Sequence, residues 1–247
     1  MAQSSGKDKI WKREDLSKRY LEGVRGAIPL ADYQIRIMLM LIEKMRDDPR
    51  KILDLGCGDG ILGSAVLAKY PKASVVFLDI SDTMIKAAMK KFSGRGKNAV
   101  FLTEDYGKPS WTAPAGKYGK YDVIISGLSI HHQTDGRKKG LYKEIFGLLK
   151  PGGIFLNLEH VSSATPRLGH IWNEYFIDSI YKYHRASGSK KTRKEIASTY
   201  YNNPLLEANI LAPVDIQCAW LRKIGFKEVD CYLKVFELAI FGGIKPV

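Results

Sequence analysis

The segment KILDLGCGDGILG, residues 51–63, decides the fold of this chain. It starts with the mostly apolar run KILDL, which predicts a buried strand, and the glycine-rich turn that follows opens a helix. Gly56 and Gly58 have no side chain at the point where a ligand must touch the backbone. The amides of the turn and the helix N-terminus add positive potential there. The segment therefore predicts a ligand site at the carboxyl end of the strand.

The same segment indicates which ligand it binds. The dinucleotide fingerprint Gly-x-Gly-x-x-Gly is incomplete, because the residue three past Gly58 is Ile61. Asp54 precedes the turn, where its carboxylate would repel a pyrophosphate but not an ammonium group. Asp79 ends the second apolar run, and a carboxylate there can accept hydrogen bonds from both hydroxyls of a ribose. Helix capping is the alternative role for Asp79, although Ser81 is already placed to cap the next helix.

Strands and helices alternate along the following hundred residues. Continuous apolar runs such as VVFL, DVII and GIFLNL are typical of a parallel sheet covered on both faces. The patterns predict strands at 51–55, 73–79, 99–103, 121–126, 153–159, 227–232 and 235–240, and helices at 30–46, 61–69, 82–92, 136–149 and 214–223. We expect an α/β fold with a doubly wound, mostly parallel seven-stranded sheet, whose last strands form an antiparallel hairpin at the edge.

A helical insert interrupts this alternation after the fifth strand. Apolar and aromatic residues recur there on one helical face: Trp172, Tyr175, Phe176, Ile180 and Tyr183. This face is either core or a substrate lid, and Trp172, Tyr175 and Tyr183 are the candidate lid residues. We expect four parts, with residues 1–16 as a mobile tail: a helical N-terminal segment covering the site (1–49), a ligand-binding core (50–161), the insert (162–212) and a C-terminal helix and hairpin (213–247).

The chain of 247 residues carries a formal net charge of +13. Basic residues cluster at 7–19, 137–139 and 190–194. An excess of this kind indicates either an RNA partner or a lysine-rich solvated surface.

Other features limit the class of protein. The three cysteines, Cys57, Cys218 and Cys231, form no CxxC pair, which predicts free thiols in a reducing compartment and no zinc site. We find no metal-ligand spacing elsewhere and expect no metal. No apolar stretch reaches the ~18 residues of a membrane span, and the polar N-terminus lacks the core of a signal peptide. A cytoplasmic location without membrane attachment is therefore expected.

Residues 50–160 resemble the class I S-adenosyl-L-methionine (SAM)-dependent methyltransferases. The resemblance rests on ILDLGCGDG, VVFLDIS, the acidic pair Glu104-Asp105, YDVIISGLSIHH and LLKPGGIFL. It implies that the chain uses SAM as cofactor and releases S-adenosyl-L-homocysteine (SAH).

The resemblance also implies a role for each cofactor-binding residue. At the methionine end, Gly56 and Gly58 approach the backbone of the ligand, Asp54 accepts its amino group partly through water, and Ser126 lies beneath the sulfonium. Arg25, in the segment that covers SAM in many relatives, is a candidate partner of the methionine carboxylate.

At the nucleoside end, the implied roles belong to five further residues. Asp79 binds the ribose, while Ile80 and Met84 flank the adenine. Asp105 faces the exocyclic adenine nitrogen, and the amide of Tyr106 lies beside it.

The flanking segments resemble the branch that contains the carboxy-SAM synthase of tRNA wobble-uridine modification. The similar stretches are RGAIPLADYQ, YHRASG and LRKIGFKEVDCYLKVFELAIFGG. That enzyme has Cys-Ser-Leu-Gly where this chain has Cys-Gly-Asp-Gly, and it holds the cofactor's extra carboxylate with an arginine of the insert. The corresponding residues here, 199–203, include no arginine, which favours ordinary SAM.

Candidate catalytic residues follow the fourth and fifth strands. A neutral imidazole at His131 or His132 could accept a proton from a nucleophile, or both histidines could simply support the cofactor pocket. Glu159 ends the fifth strand, where a carboxylate could orient a substrate amine or hydroxyl. No Asn/Asp-Pro-Pro-Tyr motif follows the fourth strand, which argues against methylation of exocyclic amines.

The sequence thus predicts a methyltransferase acting on a small molecule held under the insert. Two alternatives stay open: a tRNA-modifying enzyme of the carboxy-SAM type and a SAM-binding protein without catalysis. A NAD-linked dehydrogenase is disfavoured by the glycine loop. The chain is expected to be a monomer or a homodimer.

Overall fold

The computed structural model describes residues 8–19, 25–93 and 98–247. The strands in these ranges are β1 (Lys51–Leu55), β2 (Ser74–Asp79), β3 (Ala99–Thr103), β4 (Tyr121–Gly127), β5 (Leu149–His160), β6 (Lys227–Val235) and β7 (Leu238–Ile244). The α-helices are α1 (Glu14–Arg19), α2 (Ala31–Met45), α3 (Ile61–Lys69), α4 (Asp82–Phe92), α5 (Thr112–Gly116), α6 (Asp135–Leu148), α7 (Pro166–Ala186), α8 (Arg193–Tyr201), α9 (Pro204–Glu207) and α10 (Val214–Ile224).

All seven strands form one sheet in the order β3-β2-β1-β4-β5-β7-β6. β1 to β5 pair in parallel, while β7 runs antiparallel to both β5 and β6. The predicted seven-stranded, doubly wound sheet with an antiparallel C-terminal hairpin is confirmed. The strand order reverses between β1 and β4, and a crevice for ligands opens at the carboxyl ends of strands at such a point.

Apolar side chains cover both faces of the sheet, as the continuous apolar runs predicted. One core cluster contains Trp111, Tyr142 and Phe155, and the cluster on the other face contains Met38 and Phe77. Burying such large side chains is the main favourable contribution to folding.

The N-terminal segment corrects the prediction of a mobile tail at residues 1–16. Residues 8–12 form a short 3-10 helix and α1 follows it, while residues 1–7 lie outside the described ranges. Leu16 and Ser17 are 3% and 0% exposed, and the Ser17 hydroxyl lies 3.2 Å from that of Ser81. The segment was mistaken for a tail because few of its residues are apolar, and those few point at the body.

The insert consists of α7, α8 and α9, which follow β5. Its own apolar cluster joins Ile177 and Ile180 of α7 with Ile196 and Tyr200 of α8 and with Ala27 from the N-terminal segment. The insert and the N-terminal segment therefore pack against each other. Among the residues that the structure describes, no helix combines the length and apolar composition needed to cross a membrane.

The basic stretch 137–139 is not an open basic surface. The Arg137 guanidinium donates to the Glu144 carboxylate and to a backbone carbonyl. Lys138 is 1% exposed and pairs with Asp135, and the Lys139 ammonium lies 4.7 Å from the ring centroid of Trp220. These contacts engage all three basic side chains of the stretch within the protein itself.

Candidate functional site

Three cavities at the carboxyl edge of the sheet meet at one residue, Leu128. We name them after one wall residue each: the Asp79 cavity beside the β1–α3 turn, the Trp172 chamber under the insert, and the Asp54 cavity beside the start of α2. Leu128 follows β4 directly and lines all three. Its φ of 48° is a left-handed conformation that is rare for leucine. Backbone strain of this kind is concentrated at functional sites.

The carboxylate of Asp79 forms one wall of the first cavity. Asp79 is 8% exposed, and its two oxygens accept hydrogen bonds from the Gly58 and Ser81 amides, each at 2.9 Å. Burial raises the pKa of Asp79, while these amide bonds act to lower it. Because each carboxylate oxygen can accept a second bond, the group retains capacity for a diol.

The rest of the Asp79 cavity has an apolar side and a polar end. Ile80 and Met84 supply the apolar side. Asp105 and Tyr106 supply the polar end; the Asp105 carboxylate accepts from the Gly107 amide at 2.8 Å. All four residues that the resemblance assigned to the adenine therefore lie around one cavity.

The glycine turn separates two of the cavities. Gly56 has a φ of +68°, and a Cβ there would overlap the Ser129 hydroxyl. The amides of Gly56 and Cys57 both donate to the Leu78 carbonyl, at 2.7 and 3.0 Å, so the turn is held against β2. Gly58 has a φ of +54° with open space where its Cβ would lie. The turn therefore requires glycine at Gly56 for packing and leaves room for a ligand at Gly58.

The two residues assigned to the methionine end are placed differently. Asp54 is 1% exposed, accepts from the Gly63 amide at 2.8 Å, and lines the Asp54 cavity. Ser126 is fully buried, and its hydroxyl donates to the Leu55 carbonyl at 2.7 Å. The structure does not bring Ser126 to any of the three cavities, because its side chain is used to tie β4 to β1.

Arg25 belongs to a short 3-10 helix, Arg25–Ala27, but its side chain lies outside what the structure describes. Its neighbours Gly26 and Ile28 line the Asp54 cavity. A role for Arg25 in binding a carboxylate therefore stays a prediction.

His131 and Glu159 form a buried pair in the wall of the Trp172 chamber. His131 Nδ1 lies 2.6 Å from Glu159 Oε1, and the side chains are 7% and 1% exposed. The same carboxylate accepts from the His160 amide at 2.9 Å and from Asn157 at 3.3 Å. Burial lowers the pKa of His131 well below its usual range and raises that of Glu159. Both shifts favour the uncharged form of each group.

His132 lies between two cavities, because it lines both the Asp79 cavity and the Trp172 chamber. It is 5% exposed, and its ring lies 5.2 Å from that of Trp11. Nδ1 is 3.4 Å from the Ala208 carbonyl, whereas Nε2 is buried without a partner among the described residues. Burial lowers the pKa of His132 well below its usual range.

The aromatic face of α7 contributes part of the chamber wall. Trp172, Phe176 and Ile180 line it, and the rings of Trp172 and Phe176 stack at 5.3 Å. Tyr175 instead is 39% exposed and lies 5.9 Å from the Phe236 ring. Tyr183 packs on the backbone of the N-terminal segment.

Only Trp172 of the three predicted lid residues thus lines the chamber. The reason is geometric, because residues four apart on a helix share a stripe while their neighbours turn away.

Comparison with known proteins identifies the domain. Residues 52–153 match a protein family described as "Methyltransferase domain". These residues belong to a domain of the class I methyltransferase fold. The cofactor of such domains is SAM, so this part of the sequence-based prediction is confirmed.

Two curated relatives illustrate the range of the methyltransferase domain. A malonyl-[acyl-carrier protein] O-methyltransferase of Ilyobacter polytropus is 39% identical over 105 residues, which are 42% of this chain and 37% of that one. A carboxy-S-adenosyl-L-methionine synthase of Nautilia profundicola is 24% identical over 239 residues, 94% of this chain and 93% of that one. The chain therefore spans little more than a third of the first relative and nearly all of the second.

Solved structures share the fold. Human N-acetylserotonin methyltransferase in complex with SAM has a TM-score of 0.61 at 17% identity, covering 96% of this chain and 58% of that one. The cyclopropane synthase MmaA2 of Mycobacterium tuberculosis has a TM-score of 0.62 at 15% identity, covering 94% and 79%.

Sequence reasoning missed one residue in the walls of these cavities. Trp11 lines both the Asp79 cavity and the Trp172 chamber, although it lies in the stretch read as a tail. A lone tryptophan in a polar segment was the available signal. No feature of the sequence distinguished His131 from His132. Their hydrogen-bond partners differ because Glu159 and Ala208, which are distant in sequence, lie beside them. No group of three or more potential metal ligands occurs among the described residues.

Proposed function

We propose that this chain is a SAM-dependent methyltransferase whose acceptor is a small molecule held in the Trp172 chamber. The observation that carries the proposal is the convergence of three cavities on Leu128. A cofactor lying across the β1–α3 turn would extend from the Asp79 cavity to the Asp54 cavity. Its reactive centre would then face the chamber at Leu128.

The residues around the turn fit this cofactor. Asp79 offers acceptors for a ribose diol, and Asp54 offers negative charge for an ammonium group. Gly58 leaves open space, and Ile80 and Met84 offer an apolar wall for a base. When bound, SAM supplies an activated methyl group on a positively charged sulfur. We assign Asp105 and Tyr106 to the adenine edge and leave Ser126 out of the contact set.

The chamber suits a small acceptor. Its volume is about 120 Å³, and its wall is mostly apolar. An apolar chamber of this size limits the access of water and can hold the acceptor in line with the methyl group, which is most of what this reaction needs. Described residues of the N-terminal segment (1–49) and of the insert (162–212) both contribute to its wall, since Trp11 and Ile28 line it beside α7.

Histidines in the chamber wall are placed to accept a proton from the attacking atom of the acceptor. His131 lines the chamber and is oriented by Glu159. A base of this kind is needed when the attacking atom carries a proton at neutral pH. We assign proton handling to His131 and His132 together, with His131 held in place by Glu159.

A carboxy-SAM-type enzyme acting in tRNA modification is the second candidate. The similarity to the Nautilia profundicola synthase along 94% of this chain favours it. The chamber does not, because none of the described residues that line it is lysine or arginine. Tyr200 and Asn203, from the segment where that enzyme class carries its arginine, line the chamber instead. A SAM-binding protein without catalysis is disfavoured by the substrate-sized chamber beside the cofactor cavity.

Calorimetry of the full chain with SAM and SAH tests the first half of the proposal. Binding of both in the micromolar range is expected, and no heat with either would contradict it. A screen with SAM labelled at the methyl group, against small hydroxylated, aminated and carboxylated compounds, tests the second half. Transfer to RNA alone, with no small acceptor, would support the second candidate instead.

A further inference from the structure

We infer that the acceptor is an uncharged, largely apolar molecule of about one aromatic ring, bearing a hydroxyl that donates to His132 Nε2. The inference rests on the proposed methyltransferase function and specifies its substrate class. It also adds His132 as a catalytic residue.

The hydrogen bonds of His132 determine which nitrogen is free to accept. The Ala208 carbonyl can only accept, so the contact at 3.4 Å places the proton of a neutral ring on Nδ1. Nε2 then carries a lone pair. This atom is buried and has no partner among the described residues. Because a buried acceptor without a donor is costly, a ligand that brings a donor is favoured.

The position of His132 places that donor next to the cofactor. His132 is shared by the Asp79 cavity and the Trp172 chamber, as is Leu128 at the cavity junction. A hydroxyl on Nε2 would therefore lie at the chamber end that faces the cofactor. An acceptor group elsewhere in the chamber would be farther from the methyl group.

The charges around the chamber exclude an anionic acceptor. No lysine or arginine is found among the described residues that line it. Glu159 lies 2.6 Å behind His131, and Glu237 lies 2.8 Å behind His160. A buried carboxylate needs a cation or several donors, and neither glutamate supplies one. The chamber thus differs from what the malonyl group in the name of the Ilyobacter polytropus relative would need.

The volume of the chamber and one further hydrogen-bond donor in its wall specify the acceptor more closely. An engineered apolar cavity of about 150 Å³ binds benzene, so the chamber volume of about 120 Å³ suits one ring. The indole N–H of Trp172 is also buried without a partner among the described residues. It suits a carbonyl or ether oxygen on the same molecule.

The transfer step follows from this arrangement. The hydroxyl oxygen forms a bond to the methyl carbon while the carbon–sulfur bond breaks, and the sulfur takes that electron pair and becomes neutral. The hydroxyl proton passes to His132 Nε2 and leaves to solvent when the product departs. No oxidant, reductant or further reactant is required.

Binding of three probes to the SAH-saturated protein tests the inference, measured by ligand-observed NMR. The probes are 4-methylphenol, 4-fluorotoluene, which has no donor, and 4-methylbenzoate, which is anionic. We expect 4-methylphenol to bind at least about tenfold more tightly than either, the effect of roughly one buried hydrogen bond. Equal binding of all three, or preference for the benzoate, would overturn the inference. Failure of SAH to bind would instead overturn the proposed function.

Two variants separate the acceptor role from folding. H132F should abolish the preference for 4-methylphenol over 4-fluorotoluene, and the exposed H170F should preserve it. H132Q keeps an acceptor but no base, so it should retain phenol binding and lose methyl transfer at least a hundredfold. Unchanged selectivity in folded H132F overturns the inference. If H132F does not fold, H132Q supplies the test. An H132Q protein that transfers the methyl group at the wild-type rate would overturn the inference.

Discussion

Asp79 both stabilises the fold and lines the proposed cofactor cavity. Its carboxylate accepts from Gly58 and Ser81 amides and so fixes both the glycine turn and the start of α4. The same oxygens face the cavity where a ribose would lie.

We therefore expect D79A to weaken SAM and SAH binding by about 1.5–3 kcal/mol, since it removes a charge-assisted acceptor. Calorimetry measures the change. Asp82, three positions on in α4, bonds Thr103 instead and does not line the cavity, so D82A is the matched control. Equal effects of the two variants would contradict a ribose-binding role for Asp79.

The position of a residue could be predicted from the sequence where it depends only on the local pattern of apolar residues. Gly56 and Asp79 stand at the carboxyl ends of strands, and strand ends are visible in the pattern of apolar runs. Ser126 stands at such an end too, but its side chain turns into the sheet and bonds the Leu55 carbonyl. A period of two along a strand fixes which face a residue takes only once the register is known. The sequence could therefore place Ser126 at the end of a strand. It could not identify the Leu55 carbonyl as the partner of the Ser126 hydroxyl.

At the scale of elements, α7 divides its aromatic residues between two roles. Trp172 is 2% exposed and Phe176 stacks on it in the chamber wall, whereas Tyr175 is 39% exposed. The helical period predicted that these residues share a side of the helix. It could not show which stripe of that side meets the chamber, because that depends on how α7 lies over β5.

Alanine substitutions along α7 should separate these roles. Y175A is expected to change stability by about 0.5 kcal/mol or less, as for an exposed residue. W172A should lower the free energy of unfolding by about 3–5 kcal/mol, because it deletes a buried aromatic ring. F176A should bind SAH normally and lose affinity for 4-methylphenol.

Thermal unfolding and SAH calorimetry measure these effects. A Y175A protein that melts as early as W172A would contradict the exposed placement of Tyr175. An F176A protein that loses SAH binding would contradict the separation of chamber and cofactor cavity.

The start of β7 and the whole of α1 escaped prediction for physical reasons. β7 begins at Leu238, while the apolar pattern predicted a strand from residue 235. Phe236 has a φ of 50° and forms the turn between β6 and β7, a backbone conformation that an aromatic residue rarely adopts. α1 was not predicted because Leu16 is almost its only apolar residue, and a short helix of this kind is stable only through packing.

For the whole molecule, buried histidines link stability to pH. Burial lowers the pKa of His132 well below 6.5, and the nearby charges of His131 and His160 act in the same direction. Glu159 and the Ala208 carbonyl oppose the shift. Below pH 6.5 the unfolded chain therefore binds more protons than the folded one at this site. Stability that is present above pH 6.5 is lost as the pH falls.

Urea unfolding at pH 6.5 and 5.5 measures this linkage. The folded wild-type protein should lose about 1 kcal/mol over this unit of pH through His132 alone, because the unfolded histidine is only half protonated at pH 6.5. H132F cannot titrate and should lose correspondingly less, whatever other groups contribute. Identical pH slopes for the two proteins would show that His132 is not held neutral by burial.

The net charge of +13 raises the question of an RNA partner at the same scale. One of the three basic stretches is already engaged, since Arg137 and Lys138 pair with Glu144 and Asp135. The stretch at 190–194 is exposed, but its Arg193 pairs with acidic residues of α7. A spread of solvated lysines attracts any polyanion, and that attraction falls steeply as salt rises.

We therefore expect tRNA to bind only through non-specific charge attraction. Fluorescence anisotropy should show tight binding at 50 mM salt and a dissociation constant of roughly 10⁻⁶ M or weaker at physiological salt. An unstructured RNA of equal length, the matched control, should behave the same way. A clear preference for tRNA that survives at 200 mM salt would require a shaped, base-reading surface. That result would favour the tRNA-modifying alternative, because charge alone cannot distinguish two RNAs of the same length.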